Sequence, residues 1–464
     1  MHTRLLLSLG LLASLLSVAA AGPLDHAWLK GTTDKDPVSY KTGEDIVLTL
    51  TPMNVEGEVA EGEYFLDWSR SGDDGVKDGG RLPFDGRTPF VFTNRLDAPG
   101  FFRLYAKVVD KDGKTFQKSF TGDTTTPEGQ KAMNEFERAR KDVFFDGGAG
   151  ADVASLAPDP EPEDFDAFWE GQWKRLDRVP VKADRIELPN SNPNSRIFAV
   201  RVDCAGLRPV TGYLAVPKAV DEGEKFPARL ETHGYSGDGC SHGAPGWMRD
   251  NEIILNINAH GLKLPAFGAT EADTKALRWE IRSHGHAYAF DPKQNADPEV
   301  AYFNGMVLRV KRALQYLKTV EGWNGTDLIA SGGSQGGLQT IWAAGCGEGV
   351  TRADSGITWC CDMRMNGLLR KDPANKLASD GWYIEWTDAM GYYDAVNWGK
   401  RIPQTCMTVI ARAGIGDYCC PPTGIAKLYN AIPGNKKILW VQGSQHGYVP
   451  PQYEGRDWPY SSGE

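Results

Sequence analysis

Residues 328–330, Leu-Ile-Ala, read as a short apolar strand that runs through Ser331 into Gly332-Gly333-Ser334-Gln335-Gly336-Gly337, and residues 338–344 follow as a helix former. A chain passes from strand to helix so abruptly only where side chains do not obstruct the turn. Glycine supplies that freedom, and a serine held between glycines has its Oγ pushed out of the backbone. The turn predicts a β–α unit, and the flanking sequence repeats the pattern. Strand-like runs occur at 197–202, 212–216, 228–232, 253–257, 357–360, 407–410 and 437–441. Val300, Met306, Val307, Val310, Leu314 and Leu317 recur on one helical face. Strands alternating with helices specify a mainly parallel sheet covered on both faces, with ligands taken at the carboxyl ends of its strands.

A serine hydroxyl is a poor nucleophile until a base removes its proton. His446 is the only histidine beyond Ser334, and it follows the 437–441 strand in a short loop. Serine, then acid, then histidine is the chain order of α/β-hydrolases. Asp354, Asp362, Asp372, Asp380, Asp388, Asp394 and Asp417 lie between the two. Only Asp417 directly follows a strong strand, through Gly414-Ile415-Gly416, and it is chosen; a solvated loop aspartate is the competing reading. An oxyanion needs two backbone donors. The Gln335 N–H is one, and the Tyr235 N–H, after the 228–232 strand, is the other. His233 reads as a structural histidine.

The chain has 464 residues, too many for one ordinary domain. Residues 22–125 carry short β-rich runs separated by Asp74-Gly75, Asp85-Gly86 and Asp112-Gly113, the pattern of an immunoglobulin-like β-sandwich. Such a unit could bind carbohydrate through aromatics such as Trp68, and a packing or spacer role is the favoured reading. Residues 126–160 have connector composition, with a polar helical stretch over 127–143. Residues 161–464 form the catalytic unit, beginning with Phe165, Phe168, Trp169 and Trp173 at helical spacing. Residues 1–21 read as a cleavable signal peptide: an apolar run ends at Ala19-Ala20-Ala21, so the mature chain is expected to be soluble and secreted or periplasmic, without a membrane anchor. A net charge of −10 and no basic stripe argue against nucleic acid. Eight cysteines in an exported chain permit disulfides, but buried structural thiols are the plainer reading.

Together the segments Asp164 to Trp169, His233-Gly234-Tyr235, Gly332 to Gly337, Gly416-Asp417-Tyr418-Cys419-Cys420-Pro421-Pro422 and the terminal histidine loop resemble the acetyl xylan esterase and cephalosporin C deacetylase family of carbohydrate esterases. The resemblance covers residues 160–464. It implies a charge relay of Ser334, Asp417 and His446, oxyanion donors at Tyr235 and Gln335, and deacetylation of sugar hydroxyls without metal or organic cofactor. Where the family usually carries Arg-Gly-Gln, this chain reads Asn258-Ala259-His260-Gly261, and Gly447 rather than an acid follows His446. Assembly into a homo-oligomer stays open. Trp382, Trp386 and Tyr392 lie in an aromatic-rich segment that either walls a sugar cleft or packs a helical cap onto the sheet. The pair His284 and His286 lacks the companion ligands of a metal site. Two rival readings remain: a hydrolase of the same fold acting on other esters or peptides, and a silent carbohydrate-binding protein.

Overall fold

A computed structural model describes residues 22–237, 249–364 and 384–453; the expected signal peptide lies outside them. Period-two alternation builds the first unit. In β2 (Asp45–Met53), Ile46, Leu48 and Leu50 are buried and their neighbours are not. β2 pairs with β1 (Trp28–Thr33) and β5 (Phe90–Arg95) in one antiparallel sheet. A second sheet has the order β4 (Asp78–Pro83), β3 (Tyr64–Gly72), β6 (Gly100–Asp110), β7 (Phe144–Ala151). Leu48, Leu50, Phe92, Leu66, Leu104 and Phe145 join the two sheets in one core. β7 corrects the expected connector at 126–160: its glycine-rich residues form a fully buried strand paired with β6. The helical stretch is α1 (Pro127–Arg138), capped by Thr126, whose hydroxyl accepts from Gly129 N. Trp68 is partly buried, its ring packed edge-on against Phe92 at 5.0 Å.

The second unit is a nine-stranded sheet. Its order is β16 (Lys436–Val441), β15 (Met407–Gly414), β14 (Arg352–Gly356), β13 (Trp323–Gly333), β11 (Phe226–Thr232), β12 (Ile253–Ile257), β10 (Val210–Pro217), β9 (Ser195–Val202), β8 (Ala183–Leu188). The six strands from β16 to β12 are parallel, and β10, β9 and β8 extend the sheet antiparallel. Among the described residues its helices are α2 (Phe165–Asp177), α3 (Glu271–Glu280), α4 (Tyr302–Leu317), α5 (Gln335–Gly345), α6 (Ala395–Gly399) and α7 (Pro422–Ala431). α2, α4, α5, α6 and α7 pack side by side, with α4 and α5 seated on the central strands. Ala228 and Leu230 of β11 point into that apolar core, whereas the alternate Arg229 pairs with Glu252 at 2.6 Å and Asp354 at 3.6 Å. The second face is therefore charged around Arg229, while at β9 and β10 it is apolar, where Ala199, Tyr213 and Leu264 cluster.

Two expected elements differ. Residues 357–360 are a turn beyond β14, with Ile357 at φ 39° and Cys360 at φ 56°. Val300 stands outside α4 and is 57% exposed. Because β11, β13, β15 and β16 are parallel, the loops carrying Tyr235, Ser334, Asp417 and His446 all leave the same rim of the sheet. No helix of the described residues is long and apolar enough to cross a membrane.

Candidate active site

Ser334 sits between β13 and α5 with φ 59° and ψ −121°, a conformation that costs a non-glycine residue about 1–3 kcal/mol. Three hydrogen bonds enforce it. Ser334 N donates to Gly356 O at 2.9 Å, and Ser334 O accepts from Leu338 N at 3.1 Å and Trp359 N at 3.2 Å. The glycines beside it are sterically required. A Cβ on Gly336 would lie 2.4 Å from Thr232 O, and one on Gly332 would lie 2.7 Å from the Gly336 carbonyl. Leu338, Ile341 and Trp342 anchor α5 in the core, so the helix N-terminus and its partial positive charge are held at the serine.

Asp417 is completely buried on the loop after β15. Its Oδ1 accepts from Cys419 N and Cys420 N, both at 3.0 Å, and its Oδ2 faces His446 Nδ1 at 2.9 Å. The rival aspartates are otherwise engaged. Asp354 pairs with Arg352 and Arg229, and Asp362 with Lys427 at 2.9 Å. Asp394 accepts from the backbone of Asp362, Met363 and Val396. Asp388 is exposed, and Asp372 and Asp380 lie outside the described residues. About a third of the His446 side chain is open to solvent. Burial opposes its protonation, but the Asp417 charge and hydrogen bond outweigh burial and raise its pKa. Among the described residues no hydrogen bond joins Ser334 Oγ to this imidazole.

The Tyr235 loop lies against the serine turn: a Cβ on Gly234 would come within 3.8 Å of Gly333 O, and Thr232 Oγ1 donates to Gly336 O at 2.8 Å. Its shape is set by Tyr288, which the sequence reading did not single out, and by His260, which it noted only within a departure from the family pattern. Tyr288 stacks on Tyr235 at 4.1 Å and donates its hydroxyl to Gln335 Oε1 at 2.7 Å. His260, from the segment where the family usually has Arg-Gly-Gln, donates through Nε2 to Ser236 O at 2.6 Å and accepts through Nδ1 from Tyr302 at 2.8 Å. Burial pulls its pKa down to about 3, so it stays neutral. His233 is structural as expected: Nε2 accepts from Ala259 N at 2.9 Å and Nδ1 donates to Gly234 O at 2.6 Å. Nothing in the local sequence marks Tyr288, and His260 is marked only as a departure from the family pattern; the fold brings both to this loop.

The aromatic segment divides. Tyr392 is corrected to a packing residue. Its ring lies 4.4 Å from Phe168 and 6.1 Å from Phe165, its hydroxyl donates to Asp164, and its carbonyl accepts from the indoles of Trp169 and Trp398. Trp386 is partly buried, beside Gly391 and 5.9 Å from the Arg364 guanidinium. Trp382 lies outside the described residues. His284 pairs with Asp291 at 2.5 Å. Among the described residues, no disulfide joins any of the seven cysteines. Among the described residues, Cys419, Cys420 and His446 bring potential metal-ligating atoms within 4.8 Å of one another. A metal there would occupy the same imidazole that pairs with Asp417.

Residues 156–462 match the family model described as acetyl xylan esterase (AXE1). The chain is 24% identical to acetyl esterase Axe7A of Xylanibacter ruminicola, over 94% of this chain and 91% of that one. Among solved structures it is similar to an acetyl xylan esterase from Paenibacillus sp. R4, with TM-score 0.51 and 22% identity over 65% of this chain and 95% of the other. A second is acetyl xylan esterase 1 from Thermoanaerobacterium sp. JW/SL YS485, with TM-score 0.53 and 18% identity over 65% and 94%. These structural likenesses carry the α/β-hydrolase fold of the second unit.

Proposed function

Because the chain belongs to the acetyl xylan esterase family, and so to the carboxylic-ester hydrolases, we propose that it is an exported serine esterase that removes acetyl groups from acetylated oligo- and polysaccharides such as xylan. Ser334 Oγ attacks the acetyl carbonyl while His446 takes its proton, and Asp417 holds the imidazole in the tautomer that can accept it. The N–H groups of Gln335 and Tyr235 receive the oxyanion, each contributing about 3 kcal/mol to the transition state. The sugar hydroxyl leaves with the proton from His446, and water then releases acetate from the acetyl-enzyme by the same steps.

One observation carries this reading: a serine in a strained strand-to-helix turn shares its sheet rim with a buried Asp417 hydrogen-bonded to a part-exposed His446. Nucleophile and base often lie further apart in an empty site than in a substrate complex. Ser334→Ala is expected to abolish acetate release from acetylated xylo-oligosaccharides and from 4-nitrophenyl acetate, with the circular dichroism spectrum unchanged. Retained turnover would refute the assignment.

Export rests on residues 1–21, and mass spectrometry of the mature protein checks it; a mature chain that keeps those residues counts against it. We read the N-terminal unit as an immunoglobulin-like sandwich, which its two facing antiparallel sheets support.

A further inference from the structure

The N-terminal β unit reaches the two loops that hold Asp417 and His446. β7 is the edge strand of its sheet, and an edge strand leaves backbone groups to be paired. The side chain of Gln442 fills part of that edge. Its Oε1 accepts from Gly148 N at 3.0 Å and its Nε2 donates to Gly148 O at 2.7 Å, so one amide reproduces the pairing a neighbouring strand would make. On the same strand, Asp146 is completely buried and binds Arg103 through two hydrogen bonds of 2.7 and 2.6 Å. Its Oδ2 also accepts from Gln445 Nε2, while Arg140 donates to Gln445 Oε1. Gln445 immediately precedes His446, and both ends of its amide are held by the β unit.

Asp417 is bracketed in the same way. A Cβ on Gly416 would lie 1.9 Å from Asp146 O, so the loop runs directly against the β7 backbone. The Tyr418 ring lies 4.2 Å from the Arg103 guanidinium. Beyond His446, Tyr448 packs on Phe144 at 4.9 Å. A spacer domain would need only apolar contact. The buried Asp146–Arg103 pair lies within the β unit, and what crosses the boundary is the hydrogen bond from Gln445 to Asp146. What the charged arrangement adds is direction: Asp146 and Arg140 fix the angle of the Gln445 amide, and with it the seat of the next residue.

We propose that the N-terminal β unit is a working part of the esterase site. Asp146, Arg103 and Arg140 act as positioning residues that seat His446 through Gln445 and Gln442 and keep Asp417 in register through Gly416 and Tyr418. The proposal rests on the reading of Asp417 and His446 as the acid–base pair. None of the positioning residues touches substrate; they act through the loops.

The test uses the full-length chain carrying Gln445→Met, which keeps the length of the side chain and removes both hydrogen bonds. The variant is expected to melt close to the parent and to keep its KM. Its kcat for acetate release falls roughly ten- to a hundredfold, the loss expected when a base is displaced by a fraction of an ångström to an ångström. The midpoint of its pH–rate limb moves down, because an imidazole loosely seated beside Asp417 holds its proton less tightly. Asp146→Asn shifts the same two quantities, and the double variant loses less than the product of the single losses. If Gln445→Met does not fold, Arg140→Met removes one of the two bonds from a side chain that is already a third exposed and is read in the same way. An unchanged kcat and pH midpoint in a folded variant overturns the proposal, as does an effect confined to KM. Ser334→Ala is assayed alongside. If it keeps its activity, the acid–base reading itself falls; if it is inactive while Gln445→Met matches the parent, only the role of the β unit falls.

Discussion

Ser334 carries a conformational cost, since its φ of 59° and ψ of −121° are imposed by hydrogen bonds to Gly356, Leu338 and Trp359. Glycine adopts that conformation freely and alanine does not. Ser334→Gly is therefore expected to be more stable than Ser334→Ala by roughly 1 kcal/mol in urea unfolding, with both inactive. Equal stability would mean that the turn is unstrained. His446 gives a second prediction at this scale. Its folded pKa is raised because the Asp417 carboxylate outweighs the penalty of burial. In the proposed mechanism the neutral imidazole is the base, so turnover is expected to be low at acid pH and to rise as pH climbs through the raised pKa. The midpoint of kcat/KM is expected above the ordinary imidazole value of about 6.5. Asp417→Asn removes the partner, which moves the midpoint down and lowers kcat by about four orders of magnitude. The Cys419 thiol, whose pKa the Cys420 hydrogen bond draws down, also favours the charged imidazole. Cys419→Ser should shift the midpoint down by less and leave the enzyme active. A midpoint that neither variant moves would remove His446 as the group being titrated.

At the scale of elements, the site depends on how closely α5 and β11 approach. Gly336, in the first turn of α5, faces the Thr232 carbonyl with no room for a methyl group. Gly336→Ala is expected to cost about 1–3 kcal/mol of stability, because neither backbone can yield without parting the Tyr235 loop from the serine turn. Urea unfolding measures the cost, and a neutral substitution would mean that the two elements do not touch. The same closeness explains what could be read in advance. β12 was legible to the residue at 253–257, and the strands expected before Asp417 and His446 are found at 407–414 and 436–441, each followed by the loop that carries the residue. β7 was not legible. Gly147, Gly148 and Gly150 look like a connector, and their strand conformation comes from neighbours: a Cβ on Gly148 would strike Phe102 O at 1.9 Å, and one on Gly147 would strike Gln442 at 2.2 Å. Residues 357–360 misled in the opposite sense, because a β-branched and aromatic run serves there as the turn that receives the Ser334 carbonyl. Tyr392 misled because a sugar-facing aromatic and a helix-facing aromatic carry the same local signal.

At the scale of the molecule, the question is whether the two units are stable separately. Each has its own apolar core, but a third cluster of Phe101, Val153, Ile415 and Ala426 straddles the boundary, with Trp440 packed against it. Phe101 is fully buried, lies 5.4 Å from Trp440, and donates its N–H to Asp73, which also accepts from Thr423. An interface that buries large side chains completely behaves as interior rather than as a hinge, so the β unit and the hydrolase unit are expected to unfold together. Residual ester turnover and tryptophan fluorescence should then follow one thermal transition. Phe101→Ala opens a cavity at the centre of the boundary and is expected to cost about 3–5 kcal/mol. That loss falls on the docking of the β unit, whereas the sheet carrying Ser334 keeps its own core. In the variant, turnover should vanish at a lower temperature than the fluorescence change, because the loops of Asp417 and His446 lose their support before the sheet melts. If the parent already unfolds in two steps and activity follows the second, the boundary is a hinge and the hydrolase unit needs no partner to work.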